Sequence, residues 1–168
     1  IRYLTSDLEL DLDENVETQD VYGLPGGSAL AESIAGWAAD ADGLIVYLVD
    51  HGKPGVFRLS ESEIMTAGDL DGWLDALQSD TGPDVAVIYD ACNAGSFLPE
   101  LTPPAGANRA VMAGADADED AFFVSQGALS FSGIFWNRIF NGETLAGAFA
   151  GAAEPVGVFE LGDAATRP

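Results

Sequence analysis

Two short apolar runs set the limits on what this chain can become. Residues 44–49 read Leu-Ile-Val-Tyr-Leu-Val, and residues 85–89 read Val-Ala-Val-Ile-Tyr. Both are too short for helices and rich in β-branched residues. They are apolar throughout rather than at alternate positions, the pattern of strands buried on both faces of a parallel sheet. Each run then gives way to a residue of rare chemistry, in Asp50-His51-Gly52 and in Asp90-Ala91-Cys92. The chain has one His and one Cys, and these are they. Parallel α/β sheets bind ligands in the crevice beyond the carboxyl ends of their strands. If the two strands are neighbours, imidazole and thiol emerge together there.

The rest of the chain alternates strand and helix signals, which predicts an α/β fold with a mainly parallel sheet. Residues 1–4 form a short strand. Ser28 is the expected N-cap of a helix running to about Asp40, with Leu30, Ile34, Trp37 and Ala41 on its apolar face. A hairpin turning at Gly55 leads into a strand at 56–59. Thr66 and Asp69 have capping-box spacing at the start of a helix whose inner face carries Leu70, Trp73, Leu74 and Leu77. Residues 109–113 give a third strand. A last helix starts near Ser130 or Ser132, breaks at Gly142 and resumes over 145–150. One domain is expected over 1–163, followed by a linker at 164–168. A start at Ile1 rather than Met reads as a piece of a longer protein, with a secreted or surface-attached parent favoured.

The chemistry follows from acidity. A free thiol titrates near ~8.5 and is a poor nucleophile at neutral pH until a base takes its proton or a cation stabilises the thiolate. His51 can do both. Residues 93–97, Asn-Ala-Gly-Ser-Phe, are expected to open a helix whose amides would also favour a thiolate. Gly52 leaves its amide unobstructed, and with the amide of Cys92 it would form an oxyanion hole. Asp50 either orients the imidazole or, since alternation along the strand points it away, shapes the loop.

These residues resemble a known family. The stretch 47–52, Tyr-Leu-Val-Asp-His-Gly, is similar to the histidine motif of legumain-type cysteine peptidases, and 89–97, Tyr-Asp-Ala-Cys-Asn-Ala-Gly-Ser-Phe, to their cysteine motif. The order His then Cys also matches, as do Glu119, Phe122 and the 130–140 stretch of bacterial members. The resemblance spans residues 28–150. It implies a caspase-like α/β/α sandwich and a cysteine endopeptidase with His51 and Cys92 as its catalytic pair. The related clostripain, metacaspase and paracaspase groups use an Asp two residues before the Cys for a basic P1 side chain. By that resemblance Asp90 lines the P1 pocket for Arg or Lys, with Asp116 and Asp118 as further carboxylates. Legumains prefer Asn, which is the rival, and a role for Asp90 in holding its loop is the plainer alternative. With a basic P1, Arg58 and Arg109 become self-cleavage points. Two departures stand out. Family sheets open with a further strand and helix upstream of Ile1, and Ala94 replaces a common Ser. The alternative function is an inactive caspase-like module that binds peptides or assembles partners.

The formal charge of −22, with six Lys plus Arg, disfavours nucleic acid and anionic membranes. No apolar run reaches the ~20 residues of a membrane span. The expected partner is a peptide or protein. The acidity fits a solvated surface, a cationic substrate or bound calcium. No cofactor is expected apart from calcium, for which the alternating acids of 7–20 offer hard oxygen ligands without EF-hand spacing.

Overall fold

The structure is a computed structural model describing residues 1–14, 20–79, 82–124 and 129–153. Its centre is a parallel sheet of three strands, β3 (Gly43–Val49), β7 (Asp84–Asp90) and β8 (Arg109–Ala113), in the order β3-β7-β8. Ahead of it lie β1 (Tyr3–Leu4) and β2 (Val21–Gly23), which pair with each other in parallel. Between β3 and β7 the chain forms an antiparallel three-stranded sheet of β4 (Gly52–Lys53), β5 (Val56–Arg58) and β6 (Ile64–Thr66). Helix α1 (Gly27–Glu32) and helix α2 (Ala67–Gln78) lie on one face of the central sheet. Helix α3 (Phe131–Phe140) and the helical residues 145–153 lie on the other. This is the expected α/β/α sandwich.

Alternation along β7 builds both cores. Val85, Val87 and Tyr89 point to the α1/α2 side and meet Leu30, Ile34, Leu70, Leu74 and Phe97. Ala86 and Ile88 point the other way, against Met112, Phe131 and Phe135. Every residue of β7 after Asp84 is buried, as its unbroken apolar run requires. The similar run in β3 behaves differently. Val46 and Leu48 are buried, but Ile45, Tyr47 and Val49 are 40–53% exposed on the opposite face. Among the described residues β3 is an edge strand, and α3 packs over β7 and β8. The N-terminal strand β1 pairs with β2 and not with β3.

Several expectations need correction. Gly26, not Ser28, is the N-cap of α1, and the Glu63 carboxylate accepts from the Gly27 amide at 2.8 Å. The helix then widens into a π turn at Ser33–Trp37, with the Ala38 amide donating to the Ser33 carbonyl at 3.2 Å. The wider turn advances the buried face by one residue. Ala38 is therefore buried, while Trp37 is 48% exposed beside Arg2. Phe140, the last residue of α3, is 95% exposed. The hairpin does turn at Gly55, where φ is +71°, but it carries a third strand, β6. The capping box is present: the Asp69 amide donates to Thr66 Oγ1 at 3.1 Å and the Thr66 amide to Asp69 Oδ2 at 2.8 Å. Ser130 caps α3, and Gly142 ends it at φ +88°. The linker expected at 164–168 lies outside the described residues.

Candidate active site

Strands β3 and β7 run parallel with Val49 opposite Asp90, so both end at one level. The chain leaves β3 as Asp50-His51 and leaves β7 as Ala91-Cys92. Their backbones meet at Gly52: a Cβ there would lie 2.2 Å from the Cys92 carbonyl oxygen and 3.1 Å from Ala91 Cβ. Only glycine allows so close an approach.

His51 is exposed, and its ring makes no hydrogen bond among the described residues. Its backbone is fixed from both sides. The His51 amide donates to Asp50 Oδ1 at 2.5 Å, and the His51 carbonyl accepts from the Arg58 amide at 3.0 Å. The same Asp50 oxygen accepts from Arg58 Nη2 at 2.6 Å and Nε at 3.1 Å. Asp50 thus shapes the loop through the main chain and Arg58.

Cys92 is a half-buried free thiol, and its Sγ accepts from the Ala121 amide at 3.4 Å. The next residue, Asn93, is left-handed at φ 58°, and only a short 3-10 turn follows, Ala94–Phe97. The helix expected here is absent, and with it the amide array of a full helical N-terminus. The loop after β8 takes over the support. The Asn93 amide donates to the Glu119 carbonyl at 2.7 Å, Asn93 Nδ2 to the Ala117 carbonyl at 3.1 Å, and the Gly95 amide to the Ala115 carbonyl at 2.9 Å. Ser96 Oγ accepts from the Gly55 amide at 2.9 Å and donates to the Asn93 carbonyl at 2.6 Å, tying the hairpin to the cysteine loop. Sequence reasoning missed Ser96 and Ala121. A main-chain amide leaves no residue-type signal, and a serine leaves a weak one.

The chain matches the model of the Peptidase C13 family over residues 36–133, more than half its length and both motifs. The chain belongs to that family. It is the legumain family of cysteine peptidases, in the caspase-like clan. No curated protein matches the chain. The C13 match covers the central sheet, both strand ends and the loop that braces Cys92, so the family region and the geometric site coincide.

Beside the strand ends of this C13 domain lies an open pocket of about 410 Å³, lined by Tyr47, Val49, Phe123, Ser130, Ser132, Gly133 and Trp136. Asp90 sits behind its wall, fully buried. The Ser132 amide donates to Asp90 Oδ2 at 2.9 Å, whereas Oδ1 has no partner among the described residues and lies 2.9 Å from where a Cβ on Gly114 would stand. Burial holds the Asp90 carboxyl above its usual range, and the Ser132 bonds draw it part of the way back. The Tyr47 phenol is raised first by burial, with Asp90's charge adding to it. Ser132 Oγ and Trp136 Nε1 are also buried without a well-shaped hydrogen bond among the described residues. Asp116 and Asp118 are exposed on the bracing loop, outside the pocket lining. Among the described residues Asp11, Asp13 and Asp20 bring carboxylate oxygens within 4.8 Å of one another, a donor set suited to a hard cation such as calcium. No helix of the described residues is long and apolar enough to cross a membrane.

Proposed function

We propose that the chain is a cysteine endopeptidase acting through a His51–Cys92 dyad. The imidazole takes the thiol proton and the thiolate attacks the peptide carbonyl carbon. The amides of Gly52 and Cys92 receive the oxyanion. The imidazolium then protonates the departing amine, leaving an acyl-enzyme. Water, its proton passing to His51, releases the new carboxylate and restores the thiol. The observation that carries this reading is the contact of Gly52 with the Cys92 backbone at the level ends of two paired strands.

For specificity, Asp90 supports a basic P1 residue. It is an acid with one buried oxygen unpaired among the described residues, and Arg or Lys would supply both proton donors and the opposite charge. Asp116 and Asp118 would act at longer range, as charges on the rim. A second reading has its own observation. Ser132 Oγ and Trp136 Nε1 add hydrogen-bond donors at the same pocket, and a donor–acceptor mixture fits the carboxamide of Asn.

A fluorogenic panel with Arg, Lys or Asn at P1, run with and without calcium, tests these readings. Cleavage is expected, with loss in both Cys92→Ala and His51→Ala. Faster turnover of Asn than Arg would overturn the basic reading of Asp90. Stoichiometric peptide binding without turnover would make the domain an inactive binding module.

A further inference from the structure

Tyr89 lies on the opposite side of β7 from Asp90, three residues before the nucleophile. Its ring is fully buried, held edge-on by Phe57 at 5.5 Å and Phe97 at 4.7 Å between centroids. The hydroxyl projects beyond this apolar cluster to the junction of the two motifs, 3.1 Å from where a Cβ on Gly52 would stand. There it has no hydrogen-bond partner among the described residues. A buried hydroxyl left unsatisfied is costly, and phenylalanine would fill the same space without that cost. The phenol's titration is pushed up, first by burial and then by the negative charge of a Cys92 thiolate. The group therefore stays an O–H across the working range, at the point where Gly52 meets the Cys92 backbone. The sulfur already accepts one donor, the Ala121 amide at 3.4 Å.

We infer that Tyr89 is a positioning residue for the nucleophile: its hydroxyl turns to the Cys92 sulfur as the thiolate forms, so that two donors hold the anion. The thiol proton goes to His51, and the Tyr89 proton stays on its oxygen. The inference rests on Cys92 being the nucleophile, but its test does not depend on peptide turnover. The rate of Cys92 alkylation by iodoacetamide is followed against pH in the wild type, Tyr89→Phe and Phe97→Leu. Tyr89→Phe is expected to slow alkylation near neutral pH by roughly fivefold, the worth of one modest hydrogen bond, and to move the midpoint upward. The limiting rate at high pH and the thermal melt should be kept. Phe97→Leu loosens the same cluster without removing a donor and should leave the midpoint in place. Superimposable wild-type and Tyr89→Phe profiles would overturn the inference, as would an equal shift in Phe97→Leu. If Tyr89→Phe does not fold, 3-fluorotyrosine in place of tyrosine makes the hydroxyl a stronger donor. A lowered midpoint then supports the role, and an unmoved one overturns it. Failure of the dyad reading shows separately, as a peptide panel with no cleavage.

Discussion

A methyl group on Gly52 would land 2.2 Å from the Cys92 carbonyl oxygen, inside any real contact distance. Gly52→Ala must therefore push the two strand ends apart. Peptidase activity is expected to fall by about a hundredfold or more, since a displacement of ~1 Å at reacting groups costs that much. The melting temperature should fall as well, and initial rates beside a thermal melt check both. Asp90 yields a prediction in pH. Its folded-state pKa is raised by burial, so as pH climbs past the ordinary 3.8 the unfolded chain releases this proton before the native one does. The native state then binds more protons, and Asp90's contribution to stability declines with rising pH. Asp90→Asn keeps an acceptor for the Ser132 amide and removes the titration. Melting temperatures across pH 3–8 should show the variant gaining on the wild type as pH rises. A constant difference would mean that Asp90 is not held in a raised state. The Asp90-Ala91-Cys92 spacing made this residue visible in the sequence. Its complete burial, and the empty hydrogen-bond position on one oxygen, depend on Gly114, Phe131 and Ser132 arriving from elsewhere in the chain.

At the scale of elements, Arg109 joins helix to sheet. Its side chain is fully buried at the start of β8, paired to Asp71 and Asp75 of α2 at 2.8 Å each, and its Nε donates to Gln78 Oε1 at 3.0 Å. Gln78 Nε2 in turn donates to the carbonyls of Pro83 at 3.0 Å and Asn108 at 2.8 Å. A residue so enclosed is no self-cleavage point, contrary to the expectation from its place near a loop. Arg58 lies in β5 with an exposed side chain paired to Asp50. Breaking a buried ion pair leaves charge without compensation, and Asp71 and Asp75 are partly solvated, so Arg109→Ala is expected to cost about 3 kcal/mol. Denaturant unfolding measures this, and a loss within 0.5 kcal/mol, the usual scale of surface changes, would refute it. The helices α2 and α3 were legible because caps and period lie within a few residues. The π turn after α1 was not, because the extra residue in that turn follows from how Ile34 and Ala38 reach the core.

Across the whole molecule, charge is the dominant long-range term. The chain carries 28 acids against six Lys plus Arg, and among the described residues Arg2, Arg58, Arg109 and Arg138 are already engaged in ion pairs. The remaining acids repel one another, and this repulsion weakens as the Debye length shrinks to ≈ 8 Å near physiological salt. The melting temperature is therefore expected to rise with sodium chloride from a few millimolar upward. Cleavage of a basic peptide should slow over the same range as attraction is screened. A salt-independent melt would show that the acids are already compensated, as bound cations at Asp11, Asp13 and Asp20 would do locally.

The chain's own residues determined the strands that bear His51 and Cys92, the capped helices and the family to which the motifs belong. Each is written in local period, local capping or unbroken motif, where neighbours in sequence are neighbours in space. Tertiary structure alone decided that β3 lies at an edge among the described residues with Tyr47 and Val49 open to a pocket, that the loop after β8 braces Cys92, and that Tyr89 ends beneath Gly52. These depend on which strand lies beside which and on how closely two backbones approach, quantities fixed only when distant segments pack.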